Sequence, residues 1–340
     1  MQLLGGQPHV MVDGAARQGT VATLSHWPRS DVPDRLRRDL SAEMVIAALE
    51  DGYLDAAGAA LATVDHYDQD GVVALAMLLS PRLAAARSEV LVEAARVGDF
   101  GVVRDRRAAL VAFALASLAD PVRSPVVAVR NAARDRLPGL DTCGTVVEYA
   151  IEVLEDLTAD PAGHEELWRD EAAAFDAATR GVGRWIEVED LPDHDLAIVR
   201  IDPTSDEAAS ARWLDHVVHP AAINTATPML RVAMIAGQRM EVRFRYESWV
   251  RLSSHHPRSR VDLSRLVPVL DALEPHGTRW HFDGVNATRP VLRTVGHRPS
   301  SIGADIFVDH LVDRLVELDS APPAWDAYAS TGDATARFDL

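Results

Sequence analysis

Residues 59–79 read AALATVDHYDQDGVVALAMLL. The apolar run from Ala59 to Val64 has the length of a buried strand. It stops at Asp65, passes through His66-Tyr67-Asp68-Gln69-Asp70-Gly71, and resumes as the apolar helical run Val72 to Leu79. Strand, acidic turn, helix is the order expected at the carboxyl edge of a parallel sheet, where ligands tend to bind. Two carboxylates and an imidazole within five positions (66–70) point several oxygen and nitrogen ligands at one spot. Gly71 lets the backbone turn tightly into the helix. Mixed carboxylate and imidazole ligation suits a fairly hard divalent cation, manganese more naturally than calcium once histidine takes part. The same residues also admit a plainer use, in which the aspartates cap the following helix and the histidine packs.

Upstream, Thr20 to Leu24 reads as a short strand that runs into Ser25-His26-Trp27-Pro28, and a helix is expected from Ala42 to Glu50. If the two strands are parallel neighbours, His26 faces the same edge as His66. Downstream, the chain from Pro81 to Arg180 is almost wholly helical in pattern. Pro81 suits a helix start, and Gly98 is the expected C-cap before the loop Asp99-Phe100-Gly101. Asp99 in that loop is a candidate bridging carboxylate, whereas Asp105 among Arg104, Arg106 and Arg107 reads as a surface ion pair. Further helices are expected near 104–119, 144–158 and 164–179, broken by Pro121, Pro125, Pro138, Gly139 and Pro161.

The composition changes near Gly181-Val182-Gly183. Strands are expected at Trp185–Val188, Leu196–Ile201, Leu230–Ile235 and Met240–Arg251, with Ala236-Gly237-Gln238 as a hairpin turn. A helix near 262–273, strands near 279–283 and 291–295, and a helix near 304–318 follow. The tail beyond Pro323 has little core-forming content and should be loosely held. The fold class is therefore α/β over residues 1–182, with a small parallel sheet and many helices. A β-rich α+β substrate-binding domain with a largely antiparallel sheet covers 183–322, and residues 323–340 form the tail.

Of 340 residues, 48% are apolar and 25% charged, the profile of a globular chain with a proper core. A net charge of −17 argues against long nucleic acid and anionic membranes as partners. All 34 basic residues are arginine, which excludes Schiff-base chemistry, a pyridoxal-phosphate anchor and a phosphate-loop lysine. With Cys143 alone there is no internal disulfide, no redox pair and no cysteine zinc site. The N-terminus MQLLGGQPHV lacks export features, and the longest near-apolar stretch, Ala108 to Ala119, is too short to span a bilayer, so a cytoplasmic location is expected. No Gly-x-Ser-x-Gly elbow or dinucleotide fingerprint occurs.

The segment 239–260 concentrates Arg239, Arg243, Arg245, Arg251, Arg258 and Arg260 against only Glu241 and Glu247. Alternation puts Arg243, Arg245, Glu247 and Arg251 on one strand face, where guanidiniums could hold an anionic substrate or simply form a solvated, ion-paired surface. Of the adjacent His255 and His256, only one can face a common site; either contacts substrate or completes the metal site, and His256 is assigned to the metal. Asp215-His216-Val217-Val218-His219 would align two histidines on a helix but lacks the glutamate of a zincin. His281-Phe282-Asp283-Gly284 repeats an acidic turn at a strand end.

The string HYDQDG, with apolar residues on both sides, resembles the first signature of the DHH phosphoesterase superfamily, and most of all the DYDxDG form of its RecJ-like exonuclease branch. The resemblance implies that Asp68 and Asp70 are metal ligands, with His66 in the place of that branch's leading aspartate. It implies an α/β domain followed by a smaller substrate domain, manganese or magnesium, and hydrolysis of a phosphoester. No Asp-His-His triplet follows in the N-terminal half; the one His-His pair, His255-His256, is preceded by Ser254, and no GGGH-type segment appears.

The expected activity is that of a metal-dependent hydrolase using Mn²⁺ or Mg²⁺. A phosphoesterase acting on a small phosphorylated metabolite, nucleotide or short oligonucleotide by attack of a metal-activated water is the first reading. Hydrolysis of an amide or ester of a small carboxylate, or non-catalytic binding by an acidic protein, are the alternatives. His66, Asp68, Asp70, Asp99 and His256 are the expected metal ligands. Asp68, Asp70, His26, Arg243 and Arg245 are expected to act on substrate. The expected partners are a small anionic substrate and, in a homodimer, a second copy of the chain.

Overall fold

In a computed structural model, residues 6–125 and 142–329 are described. The expected helix breakers Pro138 and Gly139 and the tail from 330 onward lie outside the described residues. The chain forms two units, Met1–Ala173 with Leu252–His255, and Ala174–Arg251 with His256–Leu340.

The first unit is built on three parallel strands, β1 (His9–Val12), β2 (Thr20–Leu24) and β3 (Leu61–Thr63), in the order β2-β1-β3. The middle strand was not anticipated. His-Val-Met-Val is only four residues long, but all four are buried, because a central strand is covered on both faces. His9, polar yet buried, is satisfied at both ring nitrogens by the Gln7 carbonyl at 2.8 Å and the Thr20 hydroxyl at 2.9 Å. Since the strands are parallel, their carboxyl ends coincide. Asp13, Ser25-His26 and the loop 64–68 therefore leave the sheet along one edge.

Helices α1 (Ser41–Glu50), α2 (Tyr53–Ala57), α3 (Gln69–Leu79), α4 (Pro81–Phe100), α5 (Arg106–Ala119), α6 (Thr142–Ala159) and α7 (Glu165–Gly181) complete this half of the chain. Helix α3 is buried at every position from Asp70 to Met77, as its all-round apolar sequence requires. Ser80 caps α4 by accepting the Leu83 N–H at 3.3 Å, and Pro81 occupies its first turn. The helix does not stop at Gly98. It continues through Asp99 and Phe100 to Gly101, whose φ of +64° supplies the left-handed C-cap. Asp99 is thus a buried helical residue rather than part of a loop. Asp105 caps α5 through the Ala108 N–H at 2.7 Å, and the expected surface ion pair is not found among the described residues.

Six strands form the sheet of the second unit: β4 (Ile186–Leu191), β5 (Leu196–Ile201), β6 (Arg231–Ala236), β7 (Arg239–Phe244), β8 (Trp280–Phe282) and β9 (Val291–Thr294). Their order is β4-β5-β6-β7-β9-β8, antiparallel throughout except where β5 runs parallel to β6. Helices α8 (Pro220–Ala226), α9 (Val267–Leu273) and α10 (Ala304–Asp319) join it. One sheet face, with Ile198, Ile235, Val242, Phe244 and Leu292, packs with Leu270, Phe307, Leu311 and Leu315 of α9 and α10 into a single core. The mixed α/β class and the parallel-then-antiparallel sequence of sheets are as the sequence implied.

Three local expectations need correction. The strand from Met240 ends at Phe244, and Arg245 opens a turn over Tyr246–Ser248, so alternation stops there. Residues 215–219 are not helical; His219 is the N-cap of α8. The described part of the tail is held firmly, for Trp325 is buried, stacks on Trp249 with centroids 6.1 Å apart, and accepts the Arg260 N–H at 2.9 Å. Arg260 itself is fully buried and donates to Ser248 Oγ and to the carbonyls of Val285, Ala287 and Thr288. No helix among the described residues is long and apolar enough to cross a membrane.

Gly98 has a different role from the cap expected of it. A Cβ there would lie 2.6 Å from Oε1 of Gln69, the first residue of α3. Helix propensity favours Gly98→Ala by about 1 kcal/mol, but the overlap must push Gln69 and the start of α3 aside at a cost of about 1–3 kcal/mol. We expect the substitution to lower the melting temperature. A raised melting temperature would show that α3 and α4 can separate without cost.

Candidate metal centre

The site is assembled where β1, β2 and β3 end. Asp13 follows β1 with φ of +44°, a left-handed conformation uncommon for a side-chain-bearing residue, and its N–H is held by the Leu24 carbonyl at 3.0 Å. The turn aims a wholly buried carboxylate along the sheet edge. Ser41 donates its hydroxyl to Asp13 Oδ1 at 2.8 Å, while Oδ2 accepts no hydrogen bond among the described residues and lies 3.4 Å from His66 Nε2.

His26, also buried, has Nδ1 2.6 Å from the Asp39 carbonyl oxygen. A carbonyl only accepts, so Nδ1 carries the proton and Nε2 keeps its lone pair in the neutral ring. Nε2 lies 3.5 Å from Asp13 Oδ1 and 3.4 Å from Asp99 Oδ2. Asp39 is in turn held through its carboxylate by the N–H groups of Ser253 and Ser254 at 2.7 and 2.8 Å and by the Ser254 hydroxyl at 2.6 Å. Although burial opposes it, these hydrogen bonds keep the Asp39 carboxyl below its ordinary range.

The acidic turn divides its work. Asp68 caps α3, accepting the Gly71 N–H at Oδ1 (2.8 Å), and its Oδ2 meets His66 Nε2 at 2.8 Å. Asp70 reaches across to α1, accepting the N–H groups of Ser41 at 2.7 Å and Ala42 at 2.8 Å. Both aspartates therefore do have the capping role that the sequence allowed, Asp70 on a helix distant in sequence. Tyr67 and Gln69, between them, turn into α5 and bond the carbonyls of Leu115 and Ala112. His66 is sandwiched between Asp65 at Nδ1 (2.8 Å) and Asp68 at Nε2, with the Trp27 ring 5.3 Å away.

Two overlapping sets of donor atoms result, Asp13–His66–Asp68 and Asp13–His26–Asp70, each lying within 4.8 Å. Asp13 is common to both. Of the expected metal ligands, His66, Asp68 and Asp70 come together here, with His26 beside them; Asp99 approaches the same Nε2 of His26 but belongs to neither set. His256 does not join them: its Nε2 lies 3.6 Å from Asp326 and its ring lies tilted against Tyr328, with centroids 3.8 Å apart. Arg245 is not an available guanidinium. It is buried against Glu247 and the carbonyls of Asn224 and Thr227, because the strand that would have exposed it has already ended. Arg243 remains on the strand, beside Glu241. Asp13 was missed altogether, although Asp13-Gly14 at the end of an apolar run repeats the Asp-Gly pair of Asp70-Gly71.

A family model described as a family of unknown function, DUF6687, matches residues 2–323. The chain belongs to DUF6687. No curated protein and no solved structure matches it. The match of this DUF6687 member runs through both units, so the strand-edge cluster and the six-stranded sheet fall within one family unit.

The electrostatics of the cluster are those of crowded negative charge. Burial raises the Asp13 carboxyl well above its ordinary value, and the neighbouring Asp68 and Asp70 raise it further. Burial likewise raises Asp70, against the opposing pull of His26. At His66 burial favours loss of the proton, but hydrogen bonds to Asp65 and Asp68 and the charges of Asp68 and Asp13 win, pushing it up to about 11. Each of these shifts keeps protons in the folded state. In the unfolded chain His66 would release its proton near 6.5, so the stabilisation it contributes is complete below that pH and is lost as pH rises towards about 11. The two raised carboxyls act in the same direction above the ordinary carboxylate range. The metal-free DUF6687 protein should therefore melt at falling temperature between about pH 6.5 and pH 9, and a saturating divalent cation, which replaces those protons, should flatten the slope. A flat or rising profile in chelator would contradict the assignment.

Proposed function

We propose that this chain is a metal-dependent hydrolase acting in the cytoplasm, and specifically a DHH-like phosphoesterase loaded with Mn²⁺ or Mg²⁺. The observation that carries the reading is the sharing of Asp13 between two three-residue donor sets at one sheet edge. A carboxylate used twice is what a pair of cations in close succession requires. Asp13 Oδ2, buried and without a hydrogen bond among the described residues, supports the same reading, since a fold that used these aspartates only as caps would have no use for it. The donors are all oxygen and imidazole nitrogen, which fits manganese or magnesium and not a thiophilic ion.

A divalent cation held there would polarise a phosphoryl oxygen and lower the pKa of a water molecule. The residues of the chain do the rest. His26, fixed at Nδ1 by the Asp39 carbonyl, offers Nε2 inward, where the Asp99 carboxylate lies beside it together with Asp13. His66, with 35% of its side chain exposed, forms the solvent side of the cluster together with Trp27, and a substrate would enter past it. The net charge of −17 favours a small phosphorylated metabolite, nucleotide or short oligonucleotide over a long polymer.

The test is calorimetry and elemental analysis of Mn²⁺ binding beside a screen of phosphomonoesters and phosphodiesters. Wild type should bind Mn²⁺ stoichiometrically. Asp13→Asn keeps the shape and removes the shared charge, and should lose both binding and hydrolysis by about 100-fold or more, whereas Asp99→Asn should cost about tenfold. A wild type that binds no divalent ion would leave the carboxylates as helix caps and the chain as an acidic binding protein. Metal binding with hydrolysis of carboxylate amides or esters instead of phosphoesters would move the bond but keep the site.

A further inference from the structure

The second unit carries a concentration of opposite charge that the metal reading does not use. On β7, Arg239, Glu241 and Arg243 alternate onto the sheet face opposite the α9–α10 core, since Met240, Val242 and Phe244 point into that core. Two guanidiniums thus share one carboxylate. Glu241 is almost wholly buried; Arg243 pairs with it, and Arg239 Nη2 lies 4.0 Å away. Across the sheet Glu241 stands opposite Arg293 of β9, but that guanidinium is taken by Asp283 at 2.7 Å, and His281, the next residue along this row, is near Asp283 as well. One positive charge is left over.

The segment before α8 lies against these arginines. Arg239 donates to the Asp215 carbonyl, and the neighbouring His216 is mostly buried. Nε of Arg239, Nε of Arg243 and Nδ1 of His216 are all buried and have no hydrogen-bond partner among the described residues. Such groups are normally satisfied. Arg239 and Arg243 nonetheless keep 25% and 18% of their side chains exposed, so a small solute can reach them.

We propose that Arg239, Arg243 and His216 form an oxyanion site for a phosphate group, on the face of the sheet that turns away from its core. A guanidinium Nε–H has no role in the Glu241 pair and is the donor that a tetrahedral oxyanion engages side-on. A dianion would offset the surplus charge. It would also reverse the environment of His216, which burial and then the charges of Arg243, His219, Arg239 and His297 push down to about 3. The site is independent of the cation cluster, so either can fail without the other.

The experiment titrates the full-length protein in chelator with inorganic phosphate, by calorimetry and by NMR of the histidine ring nitrogens, with acetate as the monovalent control. Phosphate should bind with a Kd below about 10 mM, shift the His216 signals towards the protonated form and outcompete acetate. Arg239→Gln and Arg243→Gln should each weaken binding about tenfold. Glu241→Gln, which removes the competing carboxylate, should tighten it several-fold, an effect of opposite sign that loss of folding cannot imitate. Asp13→Asn should leave phosphate affinity in chelator unchanged. If wild type binds no phosphate, or if both arginine variants and Glu241→Gln bind it as wild type does, the proposal is overturned. If acetate binds as well as phosphate, the site recognises single carboxylates and the phosphate assignment is overturned.

Discussion

Both oxygens of Asp70 are held by the first backbone amides of the helix that begins at Ser41, and the rest of the site depends on that attachment. Asp70 belongs to the first turn of α3, so the bond ties the N-terminus of one helix to that of another across twenty-nine residues of sequence. It also fixes Ser41, whose hydroxyl then reaches Asp13 at the end of β1. The ends of two strands and two helices are thereby drawn to one point. A helix N-terminus carries orphan N–H groups and a partial positive charge, and a buried carboxylate is the partner that satisfies both at once. Asp70→Ala would strand two buried N–H groups, a loss of about 2 kcal/mol.

That attachment creates a charge problem that it does not solve. Asp13, Asp68 and Asp70 repel one another in a place from which water is largely excluded, and two like charges at 4 Å cost about 4 kcal/mol at an effective dielectric of 20. Without a cation the protein answers with protons, holding one on His66 and favouring them on Asp13 and Asp70. A cap needs one carboxylate and repels none. Three carboxylates around two imidazoles are excessive for capping, and the excess is what distinguishes this turn from an ordinary helix start.

Much of this was legible in the sequence, and what was not has identifiable causes. The strand–acidic turn–helix order of 59–79 placed His66, Asp68 and Asp70 correctly, because the switch from a short apolar run to a helical one leaves the turn nowhere else to go. His26 followed from the same logic at the end of β2. The strand at His9–Val12 escaped because four residues carry too little periodicity, and a histidine among them disguises a fully buried element. Asp13 was lost with it, though it is the residue on which both donor sets converge. Gly98 misled for the opposite reason. A glycine near a helix end imitates a C-cap, and only the approach of Gln69 reveals that the missing Cβ serves packing. Arg245 was misassigned because alternation was extended past the strand's end, where the chain turns and buries the guanidinium beside Glu247.

The double use of Asp68 and Asp70, as caps and as donors, involves no contradiction. A carboxylate oxygen has two lone-pair directions, and one backbone N–H occupies only one of them. Each Asp70 oxygen accepts a single N–H, from Ser41 or from Ala42, and Asp68 Oδ1 accepts one from Gly71. The remaining lone pairs of Asp70 accept no further hydrogen bond among the described residues. Capping therefore does for these side chains what second-layer hydrogen bonds do for ligands in general: it fixes rotamers in advance, so that no side-chain entropy is lost when a cation arrives. The cap positions the donor, and the charge that remains after capping decides what the donor can hold.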